Sequence, residues 1–358
     1  MNTEMFENLF VLELANNHWG RLDRGKEIVR AFGEVAKKNN IKAAIKLQFR
    51  DVDNFVHQSF KGDDERYIKK TEATKMSKDD FKLLAAEIKD VGCIPMATPF
   101  DEASVDFCEE LGFSIVKIAS SDIDDGPLVE KIISLGKPTI VSTGGASLPT
   151  IDAIVAKFDE ASVPLAINHC VSLYPSEDSQ LELNQISLLA NRYPDNLIGF
   201  SSHEMTDWTN SMLISYGLGA RTWERHIDIE MDDIPVSPYC TLPRQADEWF
   251  KAFNKAKEMC GRSADKRREI SNDEREYLDN LLRGYYAREN ISVGTEITSE
   301  NLDDFLYLAI PLVKGQLACQ DEISKIQVKT EIKKDEPVSI GSLENVSSLA
   351  LTAMSRGR

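Results

Sequence analysis

The segment Phe10-Val-Leu-Glu-Leu14, followed by Ala15-Asn-Asn-His-Trp-Gly20, decides between two architectures. Its first half is a short apolar run of the kind that a buried parallel strand makes. An open, doubly wound sheet usually carries a glycine fingerprint in the turn after its first strand. Ala15–Gly20 holds one glycine and no such spacing. Seven further β-rich runs follow: Ala43–Phe49, Ile94–Thr98, Ile115–Ser120, Thr139–Thr143, Leu165–Cys170, Leu197–Ser201 and Ala220–Ile227. Most start roughly 20–35 residues apart, the length of a strand, a helix and two loops. Helical periodicity fills the intervals, as in Lys26–Lys38, Asp79–Val91, Ala103–Leu111, Leu128–Leu135 and Ile151–Phe158. Eight such units predict an α/β fold, a closed (β/α)8 TIM barrel.

The pattern changes after Trp249–Cys260, an amphipathic helix. Residues 261–276 are polar and highly charged, and read as a linker with some helical content. Beyond them come short β-like pieces at Tyr285–Arg288, Ile291–Ile297, Phe305–Leu308, Ile326–Val328 and Pro337–Ile340. The expected organisation is a barrel over 1–262, a charged linker over 263–279 and a small β-rich domain over 280–358. The stretch Asp51–Asp80 is long for a strand-to-helix loop and mixes Phe55, Phe60 and Tyr67 with charges, which predicts a lid.

The whole chain has 358 residues, 42% of them hydrophobic and 28% charged, close to globular averages. Its 42 basic and 59 acidic residues give a formal charge of −17, which argues against nucleic acid or an anionic membrane as partner. No apolar run reaches the roughly 18 residues of a membrane span, and no basic-then-apolar leader is visible. The expectation is a cytoplasmic protein. The six cysteines lack metal-binding or C-x-x-C spacing and read as reduced thiols.

In such barrels the active site lies at the C-terminal ends of the strands. Four of the five histidines (His18, His169, His203 and His226) fall there. His203 and His226 end adjacent strands and can share one divalent cation as neutral imidazoles. His18 and His169 are better suited to holding loops. Lys46 and Lys117 lie within apolar strand runs, where an isolated ammonium is costly. A salt bridge to a carboxylate such as Glu13, an anion site and a Schiff-base nucleophile all explain them. Ser142-Thr143-Gly144-Gly145, leading into a helix, favours an anion. Together with Glu13 and Tyr174, this suits chemistry on a phosphorylated or enol-type substrate with a carbonyl acceptor.

These residues resemble the sialic acid (N-acetylneuraminate) synthase family. Glu13 with Asn17-His-Trp-Gly20 is similar to its E-I-G-x-N-H-x-G opening, Lys46-Leu-Gln48 to K-x-Q, and Thr98-Pro-Phe-Asp101 to T-P-F-D. Lys117-Ile-Ala-Ser-Ser-Asp122, Ile140–Gly144, His169–Pro175 and Glu224-Arg-His226 match in the same order. Arg283–Arg288 and Val293–Ile297 resemble the start of the family's antifreeze-like (SAF) domain. The resemblance implies condensation of phosphoenolpyruvate with N-acetylmannosamine or a related amino-sugar aldehyde, giving a 3-deoxy-2-keto acid and phosphate. It gives catalytic roles to Glu13, Lys46 and Lys117. Lys46, Lys117, Ser142 and Ser201 would hold phosphoenolpyruvate, and Gln48, Ser172, Tyr174 and Arg283 the sugar. His203 and His226 would bind Mn2+ or Mg2+. It also implies a homodimer in which each SAF domain caps the partner's barrel.

Departures lie on the sugar side. The family's S-D-H after strand seven is Ser201-Ser202-His203 here, so either Glu204 substitutes as the carboxylate or the metal site is weaker. Its G-P-D stretch is replaced by Pro235–Tyr239, and the tail diverges after Asn301. An altered acceptor follows, such as a di-amino sugar or an unamidated aldose. The rival readings are a metal-independent Schiff-base aldolase and a non-catalytic carbohydrate-binding relative.

Overall fold

In a computed structural model, residues 3–231, 234–261 and 266–344 are described. The start of the expected linker (263–265) and the end of the tail (345–358) lie outside them. The chain divides into two compact units, Met1–Arg262 and Ser263–Arg358.

The first unit is a closed barrel of eight parallel strands in sequence order. They are β1 (Leu9–Ala15), β2 (Lys42–Phe49), β3 (Ile94–Pro99), β4 (Ile115–Ile118), β5 (Thr139–Ser142), β6 (Leu165–Cys170), β7 (Leu197–Ser202) and β8 (Thr222–His226). β1 pairs with both β2 and β8, which closes the ring. The helices around it are α1 (Leu22–Lys38), α2 (Val52–Phe55), α3 (Arg66–Ala73), α4 (Lys78–Asp90), α5 (Glu102–Glu110), α6 (Gly126–Ser134), α7 (Leu148–Glu160), α8 (Asn184–Arg192), α9 (Trp208–Gly217) and α10 (Pro243–Cys260).

Alternation along each strand sorts the side chains into two cores. Phe10, Leu12, Ile45, Leu47, Val116, Ile167 and Trp223 point outward and pack under the helices. Val11, Ala44, Met96, Ile115, Ile140 and Ala166 point inward and fill the bottom of the barrel with Phe6 and Leu9. Burying an aliphatic side chain of this size contributes about 1.5–3 kcal/mol.

The Asp51–Asp80 stretch, expected as a lid-like loop, contains the short helices α2 and α3 and the start of α4. Glu65 caps α3 by accepting from the Tyr67 and Ile68 amides, and Ser77 caps α4 by accepting from Asp80. Capping satisfies helix-end amides that a loop would leave to water, so the segment folds as short helices. No described helix is long and apolar enough to cross a membrane.

In the second unit, Ser271 caps a helix inside the charged linker, α11 (Asn272–Asp279). Two small antiparallel sheets follow. One pairs β9 (Gly284–Ala287) with β11 (Leu306–Ala309); the other orders β10 (Glu296–Thr298), β12 (Lys325–Val328) and β13 (Leu343–Glu344). Phe305 falls in a turn of helix, α12 (Leu302–Phe305), and only the last two residues of Ile291–Ile297 are strand. Pro337–Ile340 makes isolated bridges instead of a strand, consistent with the amide that Pro337 lacks. Ala287, Ile297, Leu306, Leu317, Ile326 and Val338 form the core of this unit.

Candidate active site

Two residues beyond the apolar floor, the inward positions become polar. Val11 is succeeded by Glu13, Ala44 by Lys46, Met96 by Thr98, Ile115 by Lys117, Ile140 by Ser142 and Ala166 by Asn168. All six of these polar residues are buried. Thr222 gives way to Glu224 on β8 in the same manner.

Four of these groups form one charge cluster. Lys46 Nζ contacts Glu13 Oε2, lies 3.3 Å from Glu224 Oε1, and donates to Thr98 Oγ1 at 2.9 Å. Lys117 Nζ lies 3.2 Å from Glu224 Oε2 and donates to Ser142 Oγ at 2.7 Å. Glu224 therefore joins the two lysines. Two ammonium and two carboxylate groups cancel, which is how four buried charges are tolerated. Burial pulls Lys46 down to about 7. Burial works to raise Glu224, but Lys117 and Lys46 hold it below the usual carboxylate value. In the ligand-free chain, the salt-bridge explanation of the lysines is the one realised. Glu224 stood inside a quoted motif without a role, because only the closed ring brings it between β2 and β4.

Asn168 is a second residue that the sequence reading passed over. Its amide is fully buried, and neither Oδ1 nor Nδ2 has a hydrogen-bond partner. It stands in register with Ser142 and Gly199, beside Ser201, which is also buried. A Cβ at Gly199 would come within 2.2 Å of Asn168 Oδ1, so the bare backbone there makes room for the amide. Gly144 is required for a similar reason, since a Cβ would meet Ser172 Oγ at 2.1 Å and Ser120 Oγ at 2.8 Å. Its amide donates to Ser120 Oγ. Lysine, hydroxyl and amide donors thus converge on a space suited to an anion.

His203 and His226 face each other at the mouth, ring centroids 5.5 Å apart. His203 is buried and His226 half-buried, and removal from water lowers the basicity of both, His203 to about 4 and His226 well below its ordinary value. Both are therefore neutral at pH 7. His203 Nδ1 lies 3.0 Å from the Val171 carbonyl, which can only accept, so the proton sits on Nδ1 and Nε2 keeps a lone pair. Two neutral, oriented imidazoles fit a divalent cation as a partial ligand set. No group of three or more His, Cys, Asp or Glu able to hold a metal exists among the described residues. Glu204 does not supply the third ligand that the sequence suggested. It is fully buried and bound by Arg225 at 2.6 Å and Ser211 at 2.5 Å. Ser202, in the place of the family's Asp, accepts from Arg225 Nη1.

Tyr174, half exposed, lies over the pair with its ring 4.0 Å from His203 and 5.9 Å from His226. Tyr239, from the divergent Pro235–Tyr239 stretch, adds a second ring 5.1 Å from His226. The loop bearing it is anchored by Arg24, wholly buried. Arg24 pairs with Asp228 at 2.7 Å and donates to the carbonyls of Asn17, Ile229 and Met231. His18 and His169 have local jobs: His18 Nδ1 accepts from the Gly20 amide, and His169 Nε2 bonds the Leu181 carbonyl at 2.7 Å. Gln48 is held at both ends, donating to Glu13 at 2.9 Å and accepting from Arg50 at 3.0 Å. Arg283 belongs to the second unit, immediately before β9, where its carbonyl accepts from the Cys319 amide.

Comparison with known proteins gives a consistent picture. N-acetylneuraminate-9-phosphate synthase of Drosophila melanogaster is 28% identical over 253 residues, 68% of this chain and 66% of that protein. The chain thus spans about two thirds of that relative's length. N,N'-diacetyllegionaminic acid synthase of Campylobacter jejuni is 24% identical over 310 residues, covering 83% of this chain and 90% of that one. Among solved structures, a Chromobacterium violaceum protein provisionally named spore coat polysaccharide biosynthesis protein E superposes with a TM-score of 0.88. It is 35% identical and covers 94% of this chain and 100% of its own. A family model described as the NeuB family matches residues 34–264, and this chain belongs to that family.

Proposed function

We propose that the chain condenses phosphoenolpyruvate with an aldose of the N-acetylmannosamine type, giving a sialic-acid-like 3-deoxy-2-keto acid and phosphate. The observation that carries this reading is the Lys46–Glu224–Lys117 cluster beneath Ser142, Asn168 and Ser201. Relatives named for making N-acetylneuraminate 9-phosphate and diacetyllegionaminic acid support it. Their products differ, so the acceptor is a separate question.

Phosphoenolpyruvate brings negative charge into a cavity whose own charges cancel. Lys46 and Lys117 turn from carboxylate partners to phosphate and carboxylate oxygens, with Ser142, Ser201 and the Asn168 amide completing the donors. The enol carbon then attacks the aldehyde carbon, leaving a cationic C2 stabilised by Glu224 and Glu13. Glu13 takes a proton from the water that attacks C2, with Gln48 fixing its carboxylate. The resulting adduct loses phosphate by C–O cleavage. Gln48, Ser172 and Tyr174 line the acceptor side. A divalent cation, Mn2+ or Mg2+, on His203 and His226 would supply Lewis acidity to the aldehyde oxygen.

The same reading takes residues 280–358 as a SAF-like cap, with Arg283 reaching the sugar in the neighbouring subunit of a homodimer. Mixing Arg283→Ala and Glu13→Ala chains should then restore activity, and a verified mixed dimer without restoration would refute the exchange. The test of the reaction is phosphate release from phosphoenolpyruvate with Mn2+ across a panel of aldoses. Release that needs an acceptor and stops with EDTA is expected. Borohydride trapping of a lysine with pyruvate, insensitive to EDTA, would favour the Schiff-base aldolase instead.

A further inference from the structure

The two strands that lead into the histidines are tied together on their outer face. Alternation sends His203 and His226 toward the mouth and turns their chain neighbours Ser202, Glu204 and Arg225 the other way. Ser202 and Arg225 stand in register across β7 and β8. All three of these neighbours are buried, Glu204 and Arg225 almost completely.

A single guanidinium grips this edge at four points. Arg225 Nη1 donates to Ser202 Oγ at 2.9 Å and lies 2.6 Å from Glu204 Oε1. Its Nη2 donates to the Glu204 carbonyl at 2.7 Å, and its Nε to Thr241 Oγ1 at 2.8 Å. The Thr241 amide in turn donates to the His226 carbonyl at 2.7 Å. The residues on either side of His203 are thus bound by the residue before His226, and the backbone of His226 is bound through Thr241. The rings of Trp208 and Trp249, from α9 and α10, lie 5.9 and 6.0 Å from the guanidinium carbon.

A buried ion pair is an inefficient way to join two strands. Its desolvation cost can exceed its Coulomb gain, and apolar residues of similar volume often hold a fold as well or better. This pair also leaves an atom unsatisfied: Glu204 Oε1 accepts from Ser211 as well as pairing with Arg225, but Oε2 is buried without a hydrogen-bond partner. A planar fork of donors supplies what apolar packing does not, a fixed geometry. The Val171 carbonyl already orients His203 through Nδ1, whereas no hydrogen bond from a described residue reaches the His226 ring.

We infer that Arg225, together with Glu204, is a positioning residue, a clamp that sets the separation and aim of the His203 and His226 imidazoles so that one divalent cation can reach both. The inference rests on the reading that this histidine pair holds the metal. Glu204 thereby serves the cation at one remove, through the arginine and not as a ligand.

The test is Mn2+ alone titrated into the full chain, with the free ion counted by electron paramagnetic resonance. Removing one charge would strand the other, so the main variant is Arg225→Met/Glu204→Gln, and Arg225→Lys is measured beside it. The double variant should bind Mn2+ about 10- to 100-fold more weakly, the scale for partners that orient metal ligands. Arg225→Lys keeps the charge without the fork and should fall between, which carries the test if the double variant does not fold. Calorimetric binding of phosphoenolpyruvate to the metal-free variants should be unchanged. A purely structural pair would lower the melting temperature and leave the Mn2+ affinity of the folded protein as it was, which would overturn the clamp. An equal loss of phosphoenolpyruvate binding would overturn it too. An unmodified chain that binds no Mn2+, or binds it equally well after His203→Ala, would instead overturn the metal assignment, and the clamp with it.

Discussion

Val11, Ala44, Met96, Ile115, Ile140 and Ala166 fill the lower barrel interior. Two residues further along the same strands stand Glu13, Lys46, Thr98, Lys117, Ser142 and Asn168. The backbone is the same in both layers, and so is the degree of burial. The lower layer gains from every apolar atom removed from water. The upper layer is neutral only as a set that includes Glu224 of β8, and Asn168 is left without hydrogen-bond partners. The barrel separates two tasks by about one pleat of the sheet: the floor holds the fold, and the layer above it carries the charge cluster proposed to do the chemistry.

The division predicts opposite outcomes for neighbouring substitutions. Lys117→Met should lower kcat/KM for phosphoenolpyruvate by about a thousandfold or more, the scale expected for removing a charge aimed at the reacting anion. Lys46 still pairs with Glu224, so thermal unfolding should show the chain folded. If turnover survived, the cluster would be structural only. Met96→Ala, one layer lower, should cost about 2–5 kcal/mol of stability with kcat/KM per folded molecule nearly unchanged. A stable but inactive Met96→Ala protein would break the comparison from the other side.

Gly144→Ala sits at the rim between the layers and solvent. Its new Cβ collides with two hydroxyls, so a rise of about tenfold in KM for phosphoenolpyruvate is expected, measured by initial rates. The smallest effect is in the pH profile. Lys46 is protonated below about 7 and loses its charge above it, and a bound anion favours the charged form. Affinity for phosphoenolpyruvate should therefore be full below pH 7 and fall by up to about tenfold per unit above it. Affinity that rises with pH would mean that Lys46 binds no anion. The histidine pair works in the other direction: His203 stays neutral down to about pH 4, so it should not limit activity between pH 6 and 8.

The barrel was legible because buried parallel strands read as short unbroken apolar runs, and all eight lie within a few residues of where the sequence put them. Lys46, Lys117 and the histidine pair were legible as polar residues out of place in such runs. Glu224 was less so, because its role depends on a ring closure that joins β8 to β1, 213 residues apart at Thr222 and Leu9. Glu204 looked available as a ligand, since the arginine that binds it lies on the next strand. Tyr239 sits on a loop segment whose placement no periodicity encodes. The inserted helices α2 and α3 are too short for the 3.6-residue pattern to show, and only α3 is marked by a side-chain cap.

The most direct test of the central claim is where the oxygen goes. Turnover in H2 18O with phosphoenolpyruvate and an accepted aldose should place the label at C2 of the sugar acid and leave the released phosphate unlabelled. Mass spectrometry reads both products. Label in the phosphate would mean that water attacks phosphorus, and the upper layer of the barrel would then be a phosphate-ester hydrolase and not a site of carbon–carbon bond formation.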